Sequence, residues 1–162
     1  MNGQRSVIVP LNRSIINVRG QDAVPLVQGL LTNDVAKHAT LPGLFLNPKG
    51  RVICDTIITK NNDSLNIECD AALKETLFKL LRKYKLRSKV DIIQGTEERV
   101  NSVLGDATHV QEMLRHNSVT SFIDPRLPEM GLRMHCLFAN TDDRLKCNKF
   151  FTATKLLQLK KS

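Results

Sequence analysis

Tryptophan is absent from this 162-residue chain, tyrosine occurs once and phenylalanine six times. So few rings argue against a stacking platform for single-stranded nucleic acid, which needs exposed aromatic faces. No apolar run approaches the roughly 20 residues that cross a bilayer as a helix, which predicts a soluble protein. The four cysteines, at 54, 69, 136 and 147, form no C-x-x-C pair, and His38, His109, His116 and His135 do not stand at zinc-ligand spacing with them. This predicts a reducing compartment and no bound structural metal. Residues 1–20 contain Arg5, Arg13 and Arg19 but no acidic residue. They read as β-strands, not as an amphipathic helix, so no separate presequence is expected.

The composition is otherwise that of one ordinary globular domain, with 41% hydrophobic and 25% charged residues. The formal net charge of +8 favours anionic partners without choosing among nucleic acid, lipid, acidic protein and polyanionic small molecules. The most concentrated basic stretch is Lys79, Arg82, Lys83, Lys85, Arg87 and Lys89. It is either a solvated helix face or an anion surface for phosphate, an RNA backbone or the acidic tail of a small molecule.

Periodicity predicts strands over 6–11 and 14–18, then a helix over 22–32 with Asp22 as its cap and Pro25 in its first turn. Residues 37–43 read as a loop. Asn47-Pro48-Lys49-Gly50 predicts a sharp turn, because Pro48 fixes one backbone angle and Gly50 tolerates positive φ. A Val/Ile/Thr-rich strand follows over 52–60, a hairpin connection over 61–64 and a return strand over 65–69. Asp70 is expected to cap a helix over 71–85, where Leu73, Leu77, Leu80, Leu81 and Tyr84 share one face. Further strands are expected over 89–93, 99–104, 119–123 and 131–138, with a helix near 107–116. The fold class is therefore α+β, a largely antiparallel sheet with two to three packed helices.

Asp55 stands inside the apolar strand. A carboxylate in that position must find a donor, reach water, or hold a proton that chemistry can use. Its neighbour Cys54 points to the opposite face and reads as a small core hydrophobe.

Four segments taken together resemble one family. They are Leu31-Thr32-Asn33-Asp34, the turn Phe45-Leu46-Asn47-Pro48-Lys49-Gly50-Arg51, the stretch Lys85-Leu86-Arg87-Ser88-Lys89-Val90, and Asp124-Pro125-Arg126-Leu127-Pro128 with Gly131-Leu132-Arg133. Their order is similar to that of the folate-binding family of the glycine-cleavage T-protein, an aminomethyltransferase. The Arg-Ser-Lys-Val and Asp-Pro-Arg segments match its mitochondrial iron–sulfur cluster assembly branch. The likeness runs over roughly 7–135, so 1–140 is expected to form the N-terminal half of the T-protein fold. Residues 141–162 are expected to be a divergent basic tail.

What the resemblance implies is specific. Asp55 matches the second of two adjacent aspartates, the catalytic carboxylate beside the folate, while Cys54 replaces the first. Asp70 falls at or next to the family's folate-contacting Asn. Asn47 and Lys49, in the turn, join Asp55 and Asp70 as expected cofactor-binding residues, with tetrahydrofolate the cofactor. Arg82, Lys83, Lys85, Arg87 and Lys89 form the expected anion surface. The implied role is maturation of [4Fe–4S] proteins in the mitochondrial matrix, with the assembly machinery and client apoproteins as partners. A tetrahydrofolate-dependent one-carbon transferase is the alternative, and a basic nucleic-acid-binding module a further one. The family's Lys-Gly-Cys-x-x-Gly-Gln-Glu motif and second-half pterin-binding glutamate have no counterpart here, so a truncated form is expected.

Overall fold

A computed structural model describes residues 7–95, 98–105 and 119–137. The helix expected near 107–116 and the tail over 141–162 lie outside the described residues. The chain clusters into two compact units, Asn12–Thr96 and the pairing of Met1–Leu11 with Glu97–Ser162. In the second, β1 (Val7–Leu11) joins β7 (Glu98–Leu104), β8 (Val119–Ile123) and β9 (Leu132–Leu137) in a four-stranded sheet ordered β1-β7-β9-β8. In the first, β2 (Arg13–Arg19), β3 (Thr40–Leu46), β4 (Val52–Asn61), β5 (Ser64–Asp70) and β6 (Asp91–Gln94) form a five-stranded sheet ordered β3-β4-β5-β2-β6. Every neighbouring pair in both sheets is antiparallel, as the fold-class expectation requires.

Two helices lie among the described residues, α1 (Ala23–Gln28) and α2 (Lys74–Lys85). Ala23, Leu26 and Val27 of α1 and Leu77 and Leu81 of α2 cover one face of the five-stranded sheet. There they meet Ile16, Val18, Phe45, Cys54, Ile58, Leu65, Ile67 and Cys69 in one core. The 3.6-residue spacing of Leu77, Leu80, Leu81 and Tyr84 is what turns α2 onto that core. Asp70 caps the short 3-10 turn Ala71–Leu73 that leads into α2, its side chain accepting from Ala72 N at 2.8 Å. The turn before β4 also forms as read: Gly50 has φ of 74° and its N–H donates to Asn47 O at 2.9 Å.

Two expectations fail at the sheet edge, for one physical reason. The helix expected over 22–32 stops at Gln28 because the next residues join β3. Leu31 bridges Phe45, Thr32 N donates to Leu44 O at 3.1 Å, and Leu44 N donates to Thr32 Oγ1 at 3.0 Å. The loop expected over 37–43 is in its second half the strand β3, which begins at Thr40. Pro42 is admitted because β3 is an edge strand, where a missing N–H costs no ladder bond. Gly43 has no side chain because Leu31 lies where its Cβ would be. Asp22 makes no cap bond to its own helix; instead its carboxylate accepts from Lys89 N at 2.7 Å.

In the four-stranded unit Val103, Leu132 and Met134 form the core, with Ile8 and Val119 packed against it. Gly131 enters β9 at φ of 81°, with the backbone of Val103 where a side chain would start. Gly131→Ala is therefore expected to destabilise this unit by more than about 1 kcal/mol. A thermal melt of the variant checks this, and an unchanged midpoint would count against it.

Candidate functional site

The face of the five-stranded sheet opposite the helices is polar. Because side chains alternate along a strand, the register puts Arg13, Ile15 and Asn17 of β2, Asn66 and Glu68 of β5, and Asp55, Ile57 and Thr59 of β4 on it together. Asn17 donates through Nδ2 to Asn66 Oδ1 at 2.7 Å. Thr59 is buried, and its Oγ1 finds no hydrogen-bond partner among the described residues.

Arg13 organises this face. Its Nη1 donates to both oxygens of Asp55, at 3.2 and 3.1 Å, and its Nε donates to Glu68 Oε1 at 2.8 Å. The two carboxylates differ in access: the Asp55 side chain is 46% exposed, whereas that of Glu68 is fully buried. Ile15, Ile57, Thr59 and Asn66 of this face are buried as well, so it is at Asp55 that the cluster reaches solvent. One step past the Thr56–Cys69 pair, the same ladder brings Asp55 beside Asp70. Asp70 spends an oxygen on its cap, and Asp55 holds Arg13 with both of its own. The register of β3 on β4 shifts between Phe45 and Leu46, just before Asp55. Irregularities of this kind re-aim side chains near functional positions.

Cys54 faces the other way, into the core, as the alternation predicts. Burial pushes its thiol up to about 11, the negative charges of Asp55 and Asp70 add to the shift, and Arg13 opposes it. Cys69 and Cys136 are buried as well. A protonated, enclosed thiol is a poor nucleophile and a poor metal ligand.

Asn47 and Lys49 stand in the turn that precedes β4. The Asn47 carboxamide oxygen accepts from Lys49 N at 2.9 Å and Arg51 N at 3.0 Å, which closes the turn, while Lys49 is exposed at its tip. The basic stretch lies on the exposed side of α2 and beyond its end. There Arg82 sits over the Phe78 ring at 5.7 Å and Lys79 pairs with Glu75 at 3.5 Å. The Asp124-Pro125-Arg126 and Gly131-Leu132-Arg133 segments prove to be one device in the other unit. Asp124 accepts from Arg126 Nε at 3.0 Å, Arg126 Nη2 at 2.8 Å and Arg133 Nη2 at 2.6 Å. Burial pushes the Asp124 carboxyl up, but the bonds from both arginines outweigh it and hold the group well below the usual carboxylate range.

Arg13 and Glu68 were not singled out from sequence. Glu68 carried a signal, since Leu65-Asn66-Ile67-Glu68-Cys69 alternates apolar and polar residues and so marks a second, polar face. Arg13 carried none, because its partners are 42 and 55 residues away.

No protein-family model matches the chain. The chain is 32% identical over 144 residues to the mitochondrial iron–sulfur cluster assembly factor IBA57 of Mus musculus, a match covering 75% of this chain and 40% of that protein. It is 33% identical over 145 residues to the human protein of that name, with 75% and 40% covered. The homologue from Dictyostelium discoideum is 29% identical over 168 residues, with 80% and 41% covered. The chain thus spans about 40% of the length of these curated relatives. Among solved structures it is similar to the glycine cleavage system aminomethyltransferase T from Bartonella henselae. The TM-score is 0.56 at 18% identity, over 61% of this chain and 28% of that one.

Proposed function

We propose that this chain, a relative of the iron–sulfur cluster assembly factors with the fold of the aminomethyltransferase T-protein, supports maturation of [4Fe–4S] proteins in the mitochondrial matrix. The observation that carries this is the sequence kinship, about a third of 145 residues shared with mitochondrial assembly factors. The cluster is cargo passed to client apoproteins by the assembly machinery. The buried, protonated Cys54 is not the residue that would hold it.

The polar sheet face is the folate-linked part of the proposal. A pterin offers ring N–H donors, and Asp55 offers two carboxylate oxygens that Arg13 holds in a fixed orientation while leaving them half-exposed. Tetrahydrofolate supplies, when bound, a carrier for a one-carbon group. Asp55 accepts from it, Arg13 orients Asp55, and Glu68 anchors Arg13 from behind.

The expected result is that a reduced folate perturbs the amide resonances around Arg13, Asp55 and Asp70 saturably. Asp55→Asn, which keeps the shape and removes the charge, should weaken that binding about tenfold or more, equivalent to about 1.4 kcal/mol. Unchanged affinity in this variant would remove Asp55 from the site. The assembly role is tested separately, by depleting the protein from cells and assaying mitochondrial [4Fe–4S] enzymes beside [2Fe–2S] ones. Equal activity with and without the protein would refute it.

A further inference from the structure

Leu86 occupies a backbone position that ordinarily belongs to glycine. It ends α2 with φ of 42° and ψ of −111°, and Ser88 N donates to Lys85 O across it at 2.7 Å. These angles are those of the first central residue of a type II′ turn, where the absence of a Cβ is what makes the conformation comfortable. Leu86 is the one non-glycine residue with positive φ among the described residues. Its side chain is 85% exposed, so the strain is not offset by burial within the chain. An apolar side chain held strained in solvent is a feature that folding alone does not call for.

Its surroundings carry an excess of cations. The last turn of α2 supplies Arg82, Lys83 and Lys85, and Arg87 and Lys89 follow. Cations at a helix C-terminus complement its dipole, which accounts for the helical three but not for Leu86. Its neighbour Lys85 lines two shallow clefts, one of about 440 Å³ that sets Arg19, Lys85 and Lys89 against Asp63 and Asp91, and one of about 470 Å³ that sets Arg19, Arg82 and Lys85 against Asp91, so cations outnumber carboxylates in both. Phe78, Ile92 and Ile93 give the second an apolar wall. Arg19 comes from β2, far from the basic stretch in sequence, and its pairing with Asp91 at 3.6 Å is between two exposed side chains.

We propose that this corner is a docking surface for an acidic protein segment, with Leu86 packing against an apolar side chain of that segment and Arg19, Arg82, Lys85 and Lys89 receiving its carboxylates. Charge complementarity selects an anionic partner. A protein segment is selected over a bilayer because one leucine inserts too weakly to anchor a protein. The leucine itself selects a protein over RNA, since a nucleic-acid backbone offers no apolar side chain to pack against it. This surface is independent of the folate-linked face and of the iron–sulfur role.

The test uses the whole chain and a fluorescent peptide of alternating glutamate and leucine, beside polyglutamate, vesicles rich in anionic lipid, and single-stranded RNA. Saturable peptide binding that weakens with salt is expected, with polyglutamate weaker by about tenfold. Leu86→Gly should reduce peptide affinity about tenfold while its melting temperature stays equal or rises, because glycine relieves the turn. Lys85→Glu with Lys89→Glu should abolish binding. A lower melting temperature in Leu86→Gly would mean the fold itself needs the leucine, and unchanged affinity would mean the partner does not; either overturns the proposal. Leu86-dependent binding to vesicles or RNA with none to the peptide would overturn it as well.

Discussion

Replacing Arg13 by methionine is expected to destabilise the five-stranded unit by about 3–5 kcal/mol, the range found when one member of a buried ion pair is removed. The reason is the unequal exposure of the two carboxylates it holds. Asp55 is 46% exposed and can turn to water when the guanidinium leaves. Glu68 is fully buried, in a layer that also carries buried Ile15 and Ile57, and its 2.8 Å bond to Arg13 Nε has no aqueous substitute. The methionine keeps the stem's packing, so the loss reports the charge and the hydrogen bonds. Adding Glu68→Leu to Arg13→Met should recover most of the loss, since an apolar pair of similar volume is often no worse than a buried ion pair. Arg13→Lys should recover less, because a single ammonium cannot make the forked contact to two carboxylates. Urea titration followed by circular dichroism, with amide exchange read on β2 and β5, decides the matter. An unshifted urea midpoint for Arg13→Met would show that Arg13 is not what keeps Glu68 in place.

This same cluster shows how far the sequence could be read. Asp55 was visible because a lone carboxylate interrupts an apolar run, and alternation alone placed Cys54 on the core side, where it lies. The carboxylate that is fully buried is Glu68, which sits in a strand read for its apolar members. Its partner Arg13 is brought to it by the β2–β5 register, a tertiary fact with no local trace. The helix over 71–85 was legible because its apolar residues repeat over three turns, and α2 spans Lys74–Lys85. The helix over 22–32 was overrun because Leu30 and Leu31 continue the apolar pattern, although Leu31 serves the edge strand β3 instead. Pro42 and Gly43 read as loop for the same kind of reason: their composition shows that they do not belong in a central strand, but not that an edge awaits them. The basic stretch was plain in sequence, whereas the part played by Arg19 depends on β2 lying beside β6.

Asp124→Asn is expected to destabilise the four-stranded unit by about 3–5 kcal/mol, and the pH dependence of the loss should identify its cause. Arg133 is 4% exposed, and its Nη2 donates to Asp124 Oδ2 at 2.6 Å, so a neutral amide there leaves a buried guanidinium without that carboxylate. Arg126 is 30% exposed, and Arg126→Ala should cost only about 1 kcal/mol, because most of its charge already lies within reach of water. The sign of the pH effect follows from the depressed carboxyl of Asp124. A group whose folded pKa lies below its unfolded value adds stability that is fully present above about pH 4 and is lost as pH falls through the lower folded value. The native chain should therefore lose this contribution only in strong acid. In Asp124→Asn that part of the acid dependence should vanish, leaving a unit weaker at neutral pH and less sensitive to further acid. Amide exchange on β8 and β9 reads this unit separately from the other, which matters because a single global melt assumes one cooperative transition. A variant that loses stability equally at neutral pH and in strong acid would mean that Asp124 acts through packing, and that the Asp-Pro-Arg segment is not the electrostatic clasp its geometry describes.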